Sequence, residues 1–193
     1  MTRPQVFDYT VVLQAAMRLF WQYGYEATSL ADLQRVTKLS KSSLYATFGS
    51  KHGLFIAAFD AYREARRRDR MQRLTLSPAR PQIEWFFRTI VADVTQPDLL
   101  GRGCMTVNQA VDLAPHDPMI RQRVIDDLQE LQDRLCQAIQ RGQAEGDISR
   151  QRTPDCLARL FMASFSHINI MARLDMPRVY FESFLSDVLA LLH

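Results

Sequence analysis

The stretch from Ser29 to Phe55, SLADLQRVTKLSKSSLYATFGSKHGLF, constrains the fold of this 193-residue chain more than any other. Ser29, Ser40 and Ser50 each stand before a helix-forming run, where a hydroxyl accepts from the orphan N–H groups of a first turn. The spacing predicts two short helices joined by a tight turn and then the start of a long helix. The first of the three buries Leu30, Leu33 and Val36, Leu39 plugs the turn, and Ser40 caps a helix over Lys41 to Phe48. Gly49 stops that helix. Ser50 opens the long one, which runs to about Arg73 with Leu54, Phe55 and Phe59 inward. Upstream, Tyr9, Leu13, Ala16, Phe20 and Tyr23 recur at helical spacing, and Gly24 suits a left-handed cap. The expected small core is Leu13, Phe20, Leu33, Leu44 and Phe48.

Charge singles out the same window. The outward positions of the Lys41–Phe48 helix are hydroxyls, an aromatic ring and lysine, and all three lysines of the chain, Lys38, Lys41 and Lys51, fall here. Residues 1–75 carry 12 basic and 6 acidic side chains, a balance of +6, and the rest carry 12 basic and 15 acidic, a balance of −3, which together give the net +3. Cations on both sides of a small helix meet phosphates while the helix reads a groove, the layout of a helix-turn-helix DNA reader. The arginine run Arg66, Arg67, Arg68, Arg70 and Arg73 reads as a solvated face, since Glu64 and Arg68, and Asp69 and Arg73, are spaced i, i+4.

Beyond a boundary between Thr75 and Pro81, set by Pro78 and Pro81, the pattern stays helical. Helices are expected over Gln82 to Val94, Cys104 to Leu113, from about Ile120 to Gly142 after a turn bracketed by Pro115 and Pro118, from Pro154 to about Ala172, and from Pro177 to Leu192. The longest carries Ile120, Val124, Leu128, Leu131, Leu135 and Ile139 on one stripe. No alternating strand pattern occurs, so the fold class is all-α. No apolar run has bilayer-spanning length, and the N-terminus lacks a signal peptide's hydrophobic centre, so a cytoplasmic protein without membrane contact is expected. Cys104, Cys136 and Cys156 are odd in number and widely spaced, which argues against a disulfide framework or a metal site. No Gly-rich phosphate loop or nucleophile–base pair is present, and the four histidines are scattered; neither an enzyme nor a cofactor is expected.

The motif SLYATFGSKHGLF, with ATSLADL upstream, resembles the DNA-binding domain of the tetracycline-repressor (TetR) family of bacterial regulators. The matching residues are Thr28, Ser29, Ser40, Leu44, Tyr45, Phe48 and Lys51. Two departures stand out: Thr37 and Lys38 replace the small residues usual in the turn, and Thr47 replaces a frequent aromatic or His. The motif covers the first third of the chain; the rest agrees in helix layout. The resemblance implies a helix-turn-helix domain over residues 1–55, with the fourth helix continuing to about 73, and an effector-binding and dimerisation domain over residues 74–193. It implies a repressor on a pseudo-palindromic double-stranded operator, released by a small molecule.

Helix-turn-helix geometry places Lys41, Ser42, Ser43 and Ala46 toward base edges, and Thr28, Ser29, Tyr45, Thr47 and Lys51 toward phosphates. In the second domain Trp85, Phe86, Met105, Phe161, Phe165 and Met171 are candidates to line a cavity, with Asn108, Gln109, His167 and Asn169 as polar anchors. Phe181, Phe184, Leu185, Val188 and Leu192 are expected to pair with a symmetry mate in a homodimer, or else to close the subunit's own core. Two other readings stay open. Cys104, at a helix start close to Arg102, has the setting of a reactive thiolate and hence of a redox or electrophile sensor. A helical interaction protein without DNA binding is the second.

Overall fold

In the computed structural model, which describes residues 7–193, the chain is all helical, with no strand among the described residues. It divides into two compact units, residues 1–65 and 66–193. The division falls inside the stretch expected to be one continuous fourth helix.

The first unit holds α1 (Tyr9–Tyr23), α2 (Leu30–Thr37), α3 (Lys41–Phe48) and most of α4 (Lys51–Arg66). Local capping sets their starts. The Asp8 carboxylate accepts from the N–H groups of Thr10 and Val11 at α1. The Ser40 hydroxyl accepts from the Ser43 N–H at α3, and the Ser50 hydroxyl from the Gly53 N–H at α4. Helices as short as α2 and α3 are not stable alone and hold only by packing. They share a core of Phe20, Leu33, Leu39 and Leu44 with Leu54, Phe55 and Phe59 of α4.

The inward face of α1 differs from the expected stripe. Val12, Ala16, Leu19, Phe20 and Trp21 are buried, Leu13 and Phe48 are half-buried, and Tyr9 and Tyr23 are 48% and 56% exposed. The aromatic row of α4 decides this. Phe55 meets Phe20 edge-on at 5.1 Å and Tyr62 meets Trp21 at 5.2 Å, contacts that turn α1 so that its bulkiest side chains face inward. Leu30 and Val36 of α2 are likewise only half-buried.

Helix α4 ends at Arg66 rather than near Arg73, continuing as a wide π turn over Arg67–Met71 and a 3₁₀ turn over Gln72–Thr75. The turns rotate Met71 and Leu74 into the core of the second unit. Tertiary contacts also claim the arginines expected to be solvated. Arg66 pairs with Asp93 at 3.2 Å and Arg67 with Glu130 at 2.6 Å, while the Arg73 guanidinium lies 4.2 Å over the Trp85 ring. The side chains of Asp69 and Arg70 lie outside the described residues.

The second unit comprises α5 (Ala79–Val94), α6 (Met105–Val111), α7 (Pro118–Glu145), α8 (Pro154–Ala172) and α9 (Arg178–Leu189). Helix α5 starts three residues before the expected Gln82, because Pro81 falls in its first turn, where no N–H is needed. The Arg80 N–H there donates instead to the Asp147 carboxylate at 2.9 Å. Helix α7 packs against α5, α6 and α8, burying Ile120, Val124, Leu131, Leu135 and Ile139 of the expected stripe. Phe181, Leu185, Val188 and Leu192 of the last turns are also buried inside the subunit, and only Phe184 of that set is half-buried. The four buried side chains close the subunit's own core, so of the face expected to pair with a symmetry mate Phe184 stays partly outside.

Candidate nucleic-acid interface

The α2–turn–α3 hairpin is built from local bonds. Ser29 and Asp32 form a reciprocal capping box on α2: the Ser29 hydroxyl accepts from the Asp32 N–H, and the Asp32 carboxylate accepts from the Ser29 N–H and hydroxyl. That hydrogen bond first, then Arg35, holds the Asp32 carboxyl below its ordinary range. Thr37 is buried; its hydroxyl donates to the Leu33 carbonyl at 2.7 Å and accepts from the Leu39 N–H at 3.4 Å. Lys38 ends α2 in the left-handed conformation, φ 59° and ψ 18°, which redirects the chain into α3 within two residues. Leu39 is buried beneath that turn.

Helix α3 turns Leu44 into the core and leaves Lys41, Ser42, Tyr45, Ala46 and Thr47 exposed, with Ser43 half-buried. The Ser40 Oγ lies 2.9 Å from both Ser42 Oγ and Ser43 Oγ, so the three hydroxyls form one cluster at the start of the helix. The Lys41 ammonium stands 5.8 Å from the centre of the Tyr45 ring. The Thr47 hydroxyl donates back to the Ser43 carbonyl at 2.9 Å. Gly49, at φ 75°, ends the helix, and the chain re-enters α4 so tightly that a Cβ on Gly53 would sit 2.0 Å from the Phe48 carbonyl oxygen. This turn brings Lys51 to the same end of the unit as α3.

Three expected phosphate contacts have other duties, Thr47 among them through its bond to the Ser43 carbonyl. Thr28 is only 1% exposed, and its hydroxyl proton is committed to the Gly24 carbonyl at 2.7 Å, so it offers no donor outward. Its role is to close the turn before α2. The Ser29 hydroxyl proton goes to Asp32 at 2.5 Å. The composition of the window did not reveal Tyr25, whose ring lies under the Lys51 ammonium at 4.3 Å and against Phe55 at 5.2 Å.

The candidate effector residues divide among several environments. Phe86, Phe161 and Phe165 belong to the continuous core, where Phe161 meets Phe87 at 5.1 Å, and Met171 packs half-buried against it. Trp85 is at the core's edge, under Arg73. The Asn108 side chain donates to the Arg102 carbonyl and the Asn169 side chain to the Phe165 carbonyl, both at 2.8 Å. His167 bonds the Tyr180 hydroxyl at 2.7 Å and packs on Phe184 at 4.6 Å. Met105 and Gln109 are buried on α6, and the Gln109 side-chain oxygen has no hydrogen-bonding partner among the described residues. Cys104 precedes α6 as a free thiol, half-buried against the core. Burial, then Asp155 and Asp133, pushes the Cys136 thiol up, which keeps it protonated.

An exposed, hydroxyl-rich α3 flanked by lysines on a three-helix core defines a helix-turn-helix DNA-binding domain. Residues 12–58 match the family model described as bacterial regulatory proteins, tetR family, and residues 79–187 match the tetracyclin repressor-like, C-terminal domain. The chain belongs to the TetR family and is a helix-turn-helix transcriptional regulator, in a family of DNA-binding proteins rather than enzymes. It is 37% identical over 177 residues to the transcriptional repressor ComR of Escherichia coli, covering 89% of this chain and 82% of that one. It is 30% identical over 183 residues to the regulator YezE of Bacillus subtilis, covering 93% and 94%. The TetR family regulator CifR, solved as a cysteine-substituted form with 26 bp of double-strand operator DNA, superposes with a TM-score of 0.88. The two are 30% identical, and each chain is covered in full. No helix among the described residues is long and apolar enough to cross a membrane.

Proposed function

We propose that the protein is a transcriptional repressor that binds a pseudo-palindromic double-stranded operator as a homodimer and is released by a small-molecule effector. The observation that carries the DNA reading is α3, where Lys41, Ser42 and Ala46 are exposed while Leu44 anchors the helix in the core. Lys41 donates to guanine acceptors, the Ser42 and Ser43 hydroxyls donate or accept, and the Ala46 methyl meets a thymine methyl. Tyr45 and Lys51 lie toward phosphates, and Ser29 and Thr47 donate to them only by giving up their bonds to Asp32 and to the Ser43 carbonyl. The operator complex of CifR and the repressor function of ComR support this reading.

The homodimer face we assign is the outer side of α8 and α9. Leu160, Ile170, Leu174 and Val179 are exposed there beside the half-buried His167 and Phe184. Two such faces, related by a two-fold axis, bury these side chains and set two α3 helices on successive turns of DNA, about 34–36 Å apart. On the effector side, the buried and unpaired Gln109 oxygen is the strongest polar anchor, since a bound N–H or O–H donor removes its desolvation penalty. An effector releases DNA only through its differential affinity for the two states.

Selection of bound duplexes from a random library tests the reading. A symmetric enriched motif is expected, with affinity for it falling steeply as salt rises, by a log–log slope of about −0.9 per neutralised phosphate. Absence of any enriched motif overturns it.

A further inference from the structure

Tyr25 lies in the turn between α1 and α2, outside any helix, yet aromatic rings hold it on several sides. Phe55 meets it at 5.2 Å, Phe20 stacks at 6.1 Å and His52 lies edge-on at 6.0 Å. Phe20 and Phe55 are themselves fully buried, so the ring is anchored to the core of the unit. The Lys51 ammonium stands 4.3 Å from the centre of this ring, well inside cation–π range. No carboxylate pairs with Lys51 among the described residues.

That choice of partner matters for a cation that is to meet a phosphate. A carboxylate would fix the ammonium in place and also cancel its charge toward DNA. An aromatic face fixes it through the ring quadrupole and leaves the full positive charge in place. A lysine free in solvent loses much rotamer freedom when it binds a phosphate. A lysine already held over a ring has lost that freedom before DNA arrives. Lys51 is also the first residue of α4, so the positive end of that helix's dipole adds to an anion's attraction.

We propose that Tyr25 is a positioning residue for DNA binding, holding the Lys51 ammonium in the orientation that meets a backbone phosphate. The inference rests on the DNA-binding reading above. Its test is a double-mutant cycle on the full-length chain, read as affinity for the selected duplex across a salt series. Tyr25→Phe keeps the ring and is expected to bind within twofold of wild type. Tyr25→Leu is expected to bind about two- to fivefold more weakly. Lys51→Gln weakens binding and lowers the salt slope by about one phosphate contact. In the Lys51→Gln background, Tyr25→Leu is expected to change nothing further. Equal losses in both backgrounds, as a purely structural role predicts, overturn the proposal, and so does no loss in the parent. Should Tyr25→Leu fail to fold, the wild-type NMR spectrum decides: the Lys51 side-chain CH₂ protons next to the ammonium are expected upfield from the Tyr25 ring current, and ordinary shifts overturn the proposal. If wild type selects no duplex at all, the DNA-binding reading itself has failed, which is a different result from a failed cycle.

Discussion

Lys38 adopts φ 59° where the turn between α2 and α3 needs a left-handed residue, and with Asp175 it is one of two such non-glycine positions among the described residues. A Cβ in that conformation costs about 1–2 kcal/mol, partly offset by the larger unfolded-state entropy of glycine. Lys38→Gly is therefore expected to stabilise the protein by about 0.5–1 kcal/mol, read as a higher urea midpoint at unchanged slope; a lower midpoint refutes the strain. Gly53 has the opposite sign. In an open helical position alanine would gain about 1 kcal/mol over glycine. Here a Cβ would meet the Phe48 carbonyl oxygen at 2.0 Å, and that atom is rigid backbone. Gly53→Ala is expected to lower the thermal midpoint, and a stabilised variant would show that the α3–α4 turn yields easily. The capping box adds a pH dependence. The Ser29 hydroxyl and Arg35 depress the Asp32 carboxyl below its ordinary value of 3.8, so the bond stabilises the fold above that value and its contribution is lost as pH falls through the depressed one. Ser29→Ala should lower stability at neutral pH, and the gap to wild type should shrink in acid. A gap that stays constant down to unfolding would contradict the linkage.

At the scale of elements, α6 shows how a short helix combines packing with an unmet polar demand. Met105, Thr106, Val107 and Gln109 are all buried within seven residues. The Thr106 hydroxyl donates to Asp127 of α7 at 2.7 Å, whereas the Gln109 oxygen has no donor among the described residues. Leaving a buried acceptor unmet costs about 1–3 kcal/mol. Gln109→Met keeps the volume and removes the amide. It is expected to raise the stability of the free protein by about 1 kcal/mol while blunting release from DNA by an effector. A lower thermal midpoint for Gln109→Met would show that the amide is engaged in the free protein. The end of α4 teaches a related point. Its helical pattern runs on past Arg66, but the winding changes there, which turns Met71 and Leu74 into the core while Arg66 and Arg67 pair with Asp93 and Glu130.

At the scale of the molecule, the face left over after folding is the one that carries the proposed homodimer. Ile170, Leu174 and Val179 are 47%, 65% and 69% exposed, while the apolar side chains expected at the interface, Phe184 excepted, are consumed by the subunit's own core. Leu174→Glu places a charge on the proposed two-fold face and is expected to shift the protein from dimer to monomer in sedimentation at micromolar concentration. The same variant should lose most of its operator affinity, because each half-site then binds alone. A Leu174→Glu protein that stays dimeric and binds normally would place the interface elsewhere.

The amino-acid sequence by itself determined the number and order of the helices, the caps at Ser29, Ser40 and Ser50, the stop at Gly49 and the exposed lysines of the α2–α3 window. These depend on interactions within about four residues, so their causes lie next to one another in the chain. The motif around Leu44 and Tyr45 made the family legible for the same reason. Tertiary structure alone decided which stripe of α1 turns inward, where α4 stops, that Thr28 is spent on Gly24, that Tyr25 lies under Lys51, and which apolar face of α8 and α9 remains outside. Each of those outcomes is a competition between partners far apart in sequence. Phe55 and Tyr62 against Phe20 and Trp21, or Asp93 against solvent for Arg66, are settled only when folding brings the rivals within a few ångströms.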